Sequence, residues 1–209
     1  MSFSSLGLSD ALVAAVTALG YEEPTPVQRA AIPLILSHAD LLAQAATGTG
    51  KTAAFALPMI QRLGEPAPDL PEPKSPTDTA DRAAGIHRER PRLVGRRKKA
   101  SDHTRGLVLV PTRELAMQVS EAVHKYAAGT GISVVPLYGG ASMDHQLRAL
   151  ERGAHIVVAT PGRALDHLRR GTLVLDALQL LVLDEADEML DRSEEHTSEL
   201  QSRGLISYA

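Results

Sequence analysis

The feature that most constrains this chain is the glycine-rich octapeptide AATGTGKT at residues 45–52. An apolar run at 40–45 precedes it and a helical pattern follows it, which is the setting in which such a loop binds phosphate. Gly48 and Gly50 let backbone N–H groups curl around phosphate oxygens, and the N-terminus of the following helix adds its dipole. A glycine turn without a ligand before a helix is the alternative interpretation.

A second motif, DEAD at 184–187, follows an apolar run and so places adjacent carboxylates at the carboxyl edge of a sheet, where open α/β sheets bind ligands. Asp184 suits Mg²⁺ coordination through water, and Glu185 suits a base that orients an attacking water. In the octapeptide, Lys51 would reach the β- and γ-phosphates and Thr52 would give an oxygen to the metal. Together the motifs predict a Mg²⁺-dependent nucleoside triphosphatase site, although acidic residues also complement a helix start.

Apolar runs alternate with helical patterns along most of the chain. The predicted strands are 40–45, 106–110, 133–137, 155–159 and 179–183, and the predicted helices are 11–19, 26–36, 50–63, 113–128, 143–152 and 162–169. Continuously apolar strands that alternate with helices favour an α/β fold, a doubly wound parallel sheet covered on both faces.

The segment 64–105 interrupts this alternation. It contains six prolines and no sustained apolar period, and it is acidic in its first half and basic in its second. We predict a disordered surface insertion, because the entropy cost of closing a loop grows only slowly with its length. A basic nucleic-acid arm is one hypothesis for its role, and a solvated linker is the alternative.

Charge and composition limit the ways in which nucleic acid could be bound. The net charge is −3 and aromatic residues are 3% of the chain, so any nucleic acid must be held locally rather than by a basic coat or a stacking platform. The absence of cysteine excludes disulfides and thiolate metal sites. The first ten residues lack a signal-peptide pattern and no run is long enough to span a membrane, so we expect a cytoplasmic protein without a membrane partner.

Taken in order, these motifs resemble the N-terminal RecA-like domain of the DEAD-box RNA helicases. Phe3 followed by GYEEPTPVQ at 20–28 resembles that family's Q motif, in which the glutamine reads the adenine edge and the upstream aromatic packs on the ring. The resemblance implies a Q-motif region at 1–30 and a RecA-like P-loop NTPase domain at 31–191. Alone, Gln28 could equally be an exposed helix residue.

The resemblance assigns ATP and Mg²⁺ as cofactors. The ATP contacts that it implies are Phe3, Tyr21, Gln28, Ala45, Ala46, Thr47, Gly48, Thr49, Gly50, Lys51, Thr52 and Asp187, with catalytic roles for Lys51, Asp184 and Glu185 and metal ligation by Thr52 and Asp184.

The resemblance also assigns RNA as the partner. The implied RNA contacts are Pro111, Thr112, Arg113, Gly139, Gly140, Thr160, Pro161, Gly162 and Arg163. They go to sugar and phosphate, so we expect little sequence preference. The sequence indicates no particular protein partner.

The last segment, 192–209, departs from the family pattern. RSEEHTSELQS at 192–202 is the in-frame translation of a common short-read sequencing adapter, and ISYA at 206–209 fits its continuation after a variable index. We therefore predict a non-native tail, no second RecA-like domain in these residues, and a sheet left incomplete at its C-terminal side with an exposed edge.

These expectations combine into one functional hypothesis. The parent protein is expected to be an ATP-dependent RNA helicase, whereas the 209 residues alone are expected only to bind ATP and RNA weakly. A non-catalytic ATP- and RNA-binding module and a DNA-directed helicase remain the alternatives. Competition that depends on the 2′-OH would separate RNA from DNA.

Overall fold

A computed structural model of the chain describes residues 2–46, 48–64 and 103–190. Most of the predicted insertion, 65–102, and the whole predicted tail, 192–209, lie outside the described residues, as does Thr47 of the octapeptide.

Within the described residues, four parallel strands form the sheet. They are β1 (Gly106–Leu109), β2 (Val134–Leu137), β3 (Ile156–Ala159) and β4 (Leu180–Leu183), in the order β2-β3-β1-β4. In β1, which pairs with both β3 and β4, Gly106 lies opposite Ile156 on one side and Leu180 on the other. The predicted parallel sheet is confirmed.

The predicted helices are confirmed to within two residues at each end. They are α1 (Asp10–Ala18), α2 (Pro26–Leu36), α3 (Lys51–Gly64), α4 (Arg113–Tyr126), α5 (Met143–Glu151) and α6 (Pro161–Arg169), after a 3-10 turn at Phe3–Leu6. The start of α2 shows why these helices could be predicted from the sequence. Thr25 and Gln28 form a reciprocal capping box there, and a proline occupies the first turn.

Helices cover both faces of the sheet, as the alternation of elements predicted. Successive strand residues point to opposite faces. Val108 and Val158 pack into a core with α1 to α4 on one face. Leu107 and Val157 pack on the other face in a smaller core that includes Leu150 of α5.

Helix α3 lies in the interior of the larger core. Every residue from 53 to 60 is buried. Burying side chains such as Leu57 and Ile60 stabilises the fold by about 1.5–3 kcal/mol each. The octapeptide at the N-terminus of α3 is therefore carried by a rigid support.

The predicted strand at 40–45 is wrong. This segment has no ladder pairing in the described structure, and Leu42 is fully exposed. An apolar run becomes a strand only where a neighbouring strand accepts its hydrogen bonds, which is a property of tertiary context rather than of the run itself. The octapeptide is therefore positioned from the side of α3 and not by a preceding strand.

The boundaries predicted for the insertion are also wrong. Gly64 is the last residue of α3, and Thr104 and Arg105 are buried. The Arg105 guanidinium donates a hydrogen bond to the Leu63 carbonyl, one of those that a helix end leaves without an intrahelical partner. The folded domain thus includes both ends of the segment that composition had marked as an insertion.

The two edges of the sheet differ. At β4, no described strand pairs with the outer side, and the Leu181 and Leu183 side chains are each 54% exposed. Among the described residues this edge is therefore unpaired. At β2, the backbone carbonyls of Ser133 and Leu137 accept hydrogen bonds from the β3 side. Backbone groups alternate in direction along a strand, so the backbone nitrogen of Pro136 points to the outer side of β2. Proline has no N–H to offer, and this edge is therefore guarded against pairing with another strand.

Within the residues described, no helix combines the length and the apolar character that crossing a bilayer requires.

Candidate functional site

The motifs singled out in the sequence converge on one edge of the sheet. Because the strands are parallel, the segments after β1, β2, β3 and β4 all leave from their carboxyl ends. These segments carry the predicted RNA contacts and the DEAD motif, and a salt bridge connects the DEAD motif to the first residue of α3.

The octapeptide forms a tight turn into α3. Gly48 and Gly50 have φ values of 79° and 88°, in the left-handed region where glycine carries no steric cost. The Thr49 hydroxyl donates to the Ala46 carbonyl at 2.7 Å, which closes the turn on itself. This conformation leaves the N-terminus of α3 as a potential anion site.

Gln28 holds the octapeptide against α2. Its Oε1 accepts from the backbone N–H of Thr25 at 2.9 Å, and its Nε2 donates to the Gly50 carbonyl at 3.2 Å. The side chain is fully buried, so the alternative of an exposed helix residue is wrong. Direct reading of adenine by Gln28 stays a prediction, since both ends of the amide are bonded to the backbone of Thr25 and Gly50.

Lys51 and Glu185 form the central contact of the site. The Lys51 ammonium lies 2.6 Å from Glu185 Oε1, and both side chains are partly buried. The hydrogen bond to Glu185 raises the pKa of Lys51, assisted by the charges of Glu185, Asp184 and Asp187 and opposed by burial. The Lys51 ammonium and the carboxylate of Glu185, the predicted base, therefore form an ion pair that joins the phosphate loop to the DEAD motif.

Glu185 has a strained backbone. Its φ is 52°, in the left-handed region, where a residue with a Cβ pays a steric cost of about 1–2 kcal/mol. The strain occurs where β4 ends and a helical turn over 186–190 begins. Backbone strain of this kind is concentrated at functional sites, and here it occurs within a cluster of ionisable groups.

Asp184 is the buried carboxylate of the motif. Burial raises its pKa, and the neighbouring Glu185 raises it further, while Lys51 acts in the opposite direction. One buried carboxylate and the Thr52 hydroxyl suit Mg²⁺, which keeps several waters and takes phosphate oxygens rather than an all-protein cage. The described residues contain no cluster of three or more His, Asp or Glu side chains that could hold a metal alone. The ligand set predicted from sequence fits such a partial site.

Replacing Asp184 by asparagine should raise the melting temperature by a few degrees at neutral pH. The folded-state pKa of Asp184 lies above its usual value of 3.8, so the ionised carboxyl destabilises the fold above that pKa, and this cost disappears below the unfolded-state pKa. The difference between wild type and Asp184→Asn should therefore vanish as the pH falls below about 4. Calorimetry across this range measures it, and the exposed Asp187→Asn is the matched control. A variant less stable than wild type at pH 7 contradicts the prediction.

Of the two aromatics assigned to ATP, Phe3 is buried and Tyr21 is partly buried. Phe3 is 3% exposed and meets Tyr21 edge to face, and the Tyr21 hydroxyl lies 2.7 Å from that of Tyr126 on α4. Burial and the contact with Tyr21 raise the pKa of Tyr126. These rings anchor the N-terminal segment to the domain, and their contact with a base stays a prediction.

Arg113 crosses from one predicted RNA loop to the next. It begins α4 after Thr112, whose side chain accepts from the backbone N–H of Leu115. Its guanidinium lies 5.2 Å from the centre of the Tyr138 ring, and a Cβ on Gly140 would stand 3.1 Å from Arg113 Nη1. The absence of a side chain at Gly140 therefore makes room for this arginine.

Arg163, in the segment after β3, also contacts the turn that follows β2. It lies in the first turn of α6, which begins after Thr160, and its Nη2 donates to the Ala141 carbonyl at 3.4 Å. Thr160 is the N-cap residue of α6, and its side chain makes no capping hydrogen bond. The structure thus brings the three predicted RNA loops together, with Arg113 and Arg163 both in contact with the segment 138–141.

Three residues near this turn were missed by sequence reasoning. Tyr138 lies under Arg113, and Gln146 and His167 are buried between α5 and α6. Tyr138 could have been noticed as an aromatic beside a glycine pair. The two buried polar residues carry no local sequence signal, because polar residues on amphipathic helices are usually exposed.

Comparison with known proteins gives a family match and several relatives. The sequence model of the family described as DEAD/DEAH box helicase matches residues 25–205. The chain is 46% identical over 190 residues to the DEAD-box ATP-dependent RNA helicase 52A of Oryza sativa subsp. japonica, which covers 90% of this chain and 28% of that protein. It is 45% identical over 193 residues to the ATP-dependent RNA helicase DeaD of Haemophilus influenzae, covering 91% of this chain and 26% of that protein.

A solved structure shows the same fold. The RNA helicase Prp28 from Chaetomium thermophilum, bound to ADP, superposes with a TM-score of 0.72 at 37% identity, over 91% of this chain and 40% of that chain. The chain thus spans about a quarter of the length of the two relatives above and less than half of this structure.

Proposed function

The chain belongs to the DEAD/DEAH box helicase family, and from this premise we propose that the protein of which it forms part is an ATP-dependent RNA helicase. The observation that carries the proposal is the 2.6 Å contact between Lys51 and Glu185, which joins the phosphate loop to the DEAD motif. The predicted RNA loops leave the same edge of the sheet, so ATP and RNA would bind next to one another.

The contact between Lys51 and Glu185 suggests how ATP binding activates the site. The phosphates of ATP compete with Glu185 for the Lys51 ammonium, and the carboxylate that is released becomes free to orient the attacking water. Gly48 and Gly50 present backbone N–H groups to the phosphates at the N-terminus of α3. Mg²⁺, held by Asp184 and Thr52, would neutralise charge on the phosphate oxygens.

The RNA side of the proposal depends on Arg113 and Arg163. Both guanidiniums lie beside the turn at 139–141, where Gly139 has open space around it and Gly140 has φ +79°. Contacts of this kind reach phosphate and sugar, so the expected preference is for an RNA backbone rather than for a base sequence. The cytoplasmic location is part of the same proposal, and the absence of cysteine among the 209 residues fits it.

The experiment that tests the proposal measures phosphate release and strand separation by the full-length protein, with RNA and with DNA of the same sequence. RNA-stimulated turnover with RNA duplex separation is expected. Equal stimulation by DNA would instead support a DNA-directed helicase. ATP and RNA binding without turnover would support a non-catalytic binding module.

The variant Arg113→Gln/Arg163→Gln should weaken RNA binding alike for every sequence and make its salt dependence shallower. In a plot of log K against log salt concentration on single-stranded RNA, each phosphate contact contributes about −0.7 to the slope. Loss of two contacts should therefore reduce the steepness of this slope by about 1.4. Fluorescence anisotropy at several salt concentrations measures this slope. The control is Arg148→Gln/Arg152→Gln, at the exposed C-terminal end of α5. An unchanged slope in the first variant argues against these RNA contacts.

A further inference from the structure

A buried polar chain connects two of the predicted RNA loops through the interior of the domain. Gln146 of α5 donates from Nε2 to the Tyr138 carbonyl at 3.0 Å, and its Oε1 lies 3.1 Å from His167 Nε2 on α6. His167 Nδ1 in turn lies 2.8 Å from the Thr172 hydroxyl. Gln146 is 5% exposed and His167 is completely buried.

The hydrogen-bond roles of Gln146 and His167 Nε2 are fixed by the Tyr138 carbonyl at one end of the chain. The Tyr138 carbonyl can only accept, so the amide nitrogen of Gln146 faces it and the amide oxygen faces the ring. An amide oxygen also only accepts, so His167 Nε2 carries the proton and donates to it. The Thr172 hydroxyl lies 2.8 Å from Nδ1 and 3.1 Å from the His167 carbonyl, so its single proton has two acceptors within reach.

Each end of the chain lies next to a residue of the proposed RNA surface. Tyr138 precedes Gly139 and Gly140, which have no side chains with which to anchor their turn, and its ring lies under the Arg113 guanidinium. His167 lies four residues after Arg163, one helical turn away on the same side of α6. The chain therefore sets the distance between the glycine turn and the first turn of α6.

Packing alone does not explain two such residues in the interior. A polar side chain is costly to bury unless its bonds are satisfied, and an apolar pair of the same volume would fill the space without that requirement. What the polar pair adds is a directional tie to a main-chain carbonyl. We propose, on the basis of the RNA function proposed above, that Gln146 and His167 are positioning residues that hold the Tyr138–Gly140 turn in place for an RNA phosphate between Arg113 and Arg163.

The first test replaces Gln146 by methionine, which keeps the volume and removes both hydrogen bonds. In the full-length protein, RNA affinity should fall about tenfold, because the Tyr138 carbonyl loses a buried donor and the turn becomes mobile. Affinity for a fluorescent ADP analogue should be unchanged. Deuterium uptake of a peptide covering 138–143 should rise in the absence of RNA.

The matched control is Leu150→Ala, one turn further along the same helix and 3% exposed. It creates a cavity in the smaller core, so it should lower the melting temperature at least as much as Gln146→Met does. RNA affinity and deuterium uptake at 138–143 should stay at the wild-type level. Equal effects of the two variants on RNA affinity would show that Gln146 acts only through stability, and would overturn the proposal.

A second variant, Gln146→Glu, tests the positioning role through the pH dependence of RNA affinity. A purely structural role of Gln146 would not produce this pH dependence. The ionised carboxylate cannot donate to the Tyr138 carbonyl, whereas the protonated acid can donate to it and still accept from His167. Burial raises the pKa of such a group, so RNA affinity relative to wild type should be low at about pH 8 and recover towards about pH 5.5. Methionine at this position should show no recovery.

The other ionisable groups near the pair set the conditions of this comparison. Burial, with Arg163 and Arg170, lowers the pKa of His167, while Asp166 acts in the opposite direction. His145 is exposed on α5 beside Gln146, and Arg113 lies beyond Tyr138. Of these groups, His167 alone contacts the side chain at position 146, so a carboxylate there interacts with it directly. Gln146→Glu is therefore compared with both Gln146→Met and wild type at each pH.

The outcomes separate this inference from the RNA function on which it rests. Wild-type RNA affinity in Gln146→Met, with unchanged deuterium uptake at 138–143, overturns the positioning role. If uptake rises in Gln146→Met but Arg113→Gln/Arg163→Gln binds RNA as wild type does, the turn is positioned as proposed and the RNA surface is the part that is wrong.

Discussion

Replacing Glu185 by glutamine is expected to reduce RNA-stimulated ATP turnover by about a thousandfold while ATP binding remains, because a positioned base contributes roughly 10²–10⁴ in rate. Glutamine keeps the shape of the side chain but cannot take a proton from water. It also holds Lys51 less strongly than the carboxylate at 2.6 Å does, so ATP meets less competition for that ammonium. Single-turnover phosphate release and equilibrium ATP binding, measured in the full-length protein, separate the two effects.

Two further variants make this expectation specific. Glu188→Gln is the same chemical change on an exposed residue of the helical turn that follows the motif, and it should leave turnover unchanged. Lys51→Ala should abolish ATP binding at ordinary nucleotide concentrations, because Lys51 contacts phosphates already in the ground state. If Glu185→Gln retains most of the turnover, Glu185 is not the base.

Much of the helical architecture could be predicted because its signals are local. The capping box of Thr25 and Gln28 and the proline after Thr160 each mark a helix start within a few residues. The run at 40–45 was predicted as a strand like the four runs that became strands, yet it pairs with none of them. Pairing depends on which edge is available in space, and a single apolar run contains no information about that.

The site was predictable where its chemistry requires particular side chains in sequence, as in the octapeptide and the DEAD motif. Its supporting contacts were not predictable. Arg105 was assigned to an insertion by composition, but its guanidinium donates to the Leu63 carbonyl at the end of α3. Gln146 and His167 meet only after α5 and α6 have packed. Hydrogen-bond partners of this kind are brought together by tertiary packing, and no fixed spacing in the sequence marks them.

Replacing Gly50 by alanine is expected to reduce stability and nucleotide affinity far more than the same change at Gly48. Both glycines have positive φ, so each substitution costs about 1–2 kcal/mol in backbone strain. At Gly48 the new Cβ meets nothing within 4 Å, whereas at Gly50 it would stand 2.4 Å from Gln28 Nε2. Gln28 is fully buried and bonded at both ends of its amide, so its side chain cannot move without breaking the cap of α2.

The excess cost at Gly50 can be assigned to Gln28 by a double-mutant cycle. Each buried hydrogen bond that Gln28 loses costs about 1–3 kcal/mol, and roughly 1 kcal/mol corresponds to 2–4 °C in a domain of this size. Gly50→Ala should therefore melt several degrees below Gly48→Ala and bind ATP at least about tenfold more weakly. Combining Gly50→Ala with Gln28→Ala relieves the steric conflict, so the double variant should be more stable than the sum of the single losses predicts. Strictly additive losses would mean that Gln28 does not hold the loop, and the contact at Gly50 would then have no part in nucleotide binding.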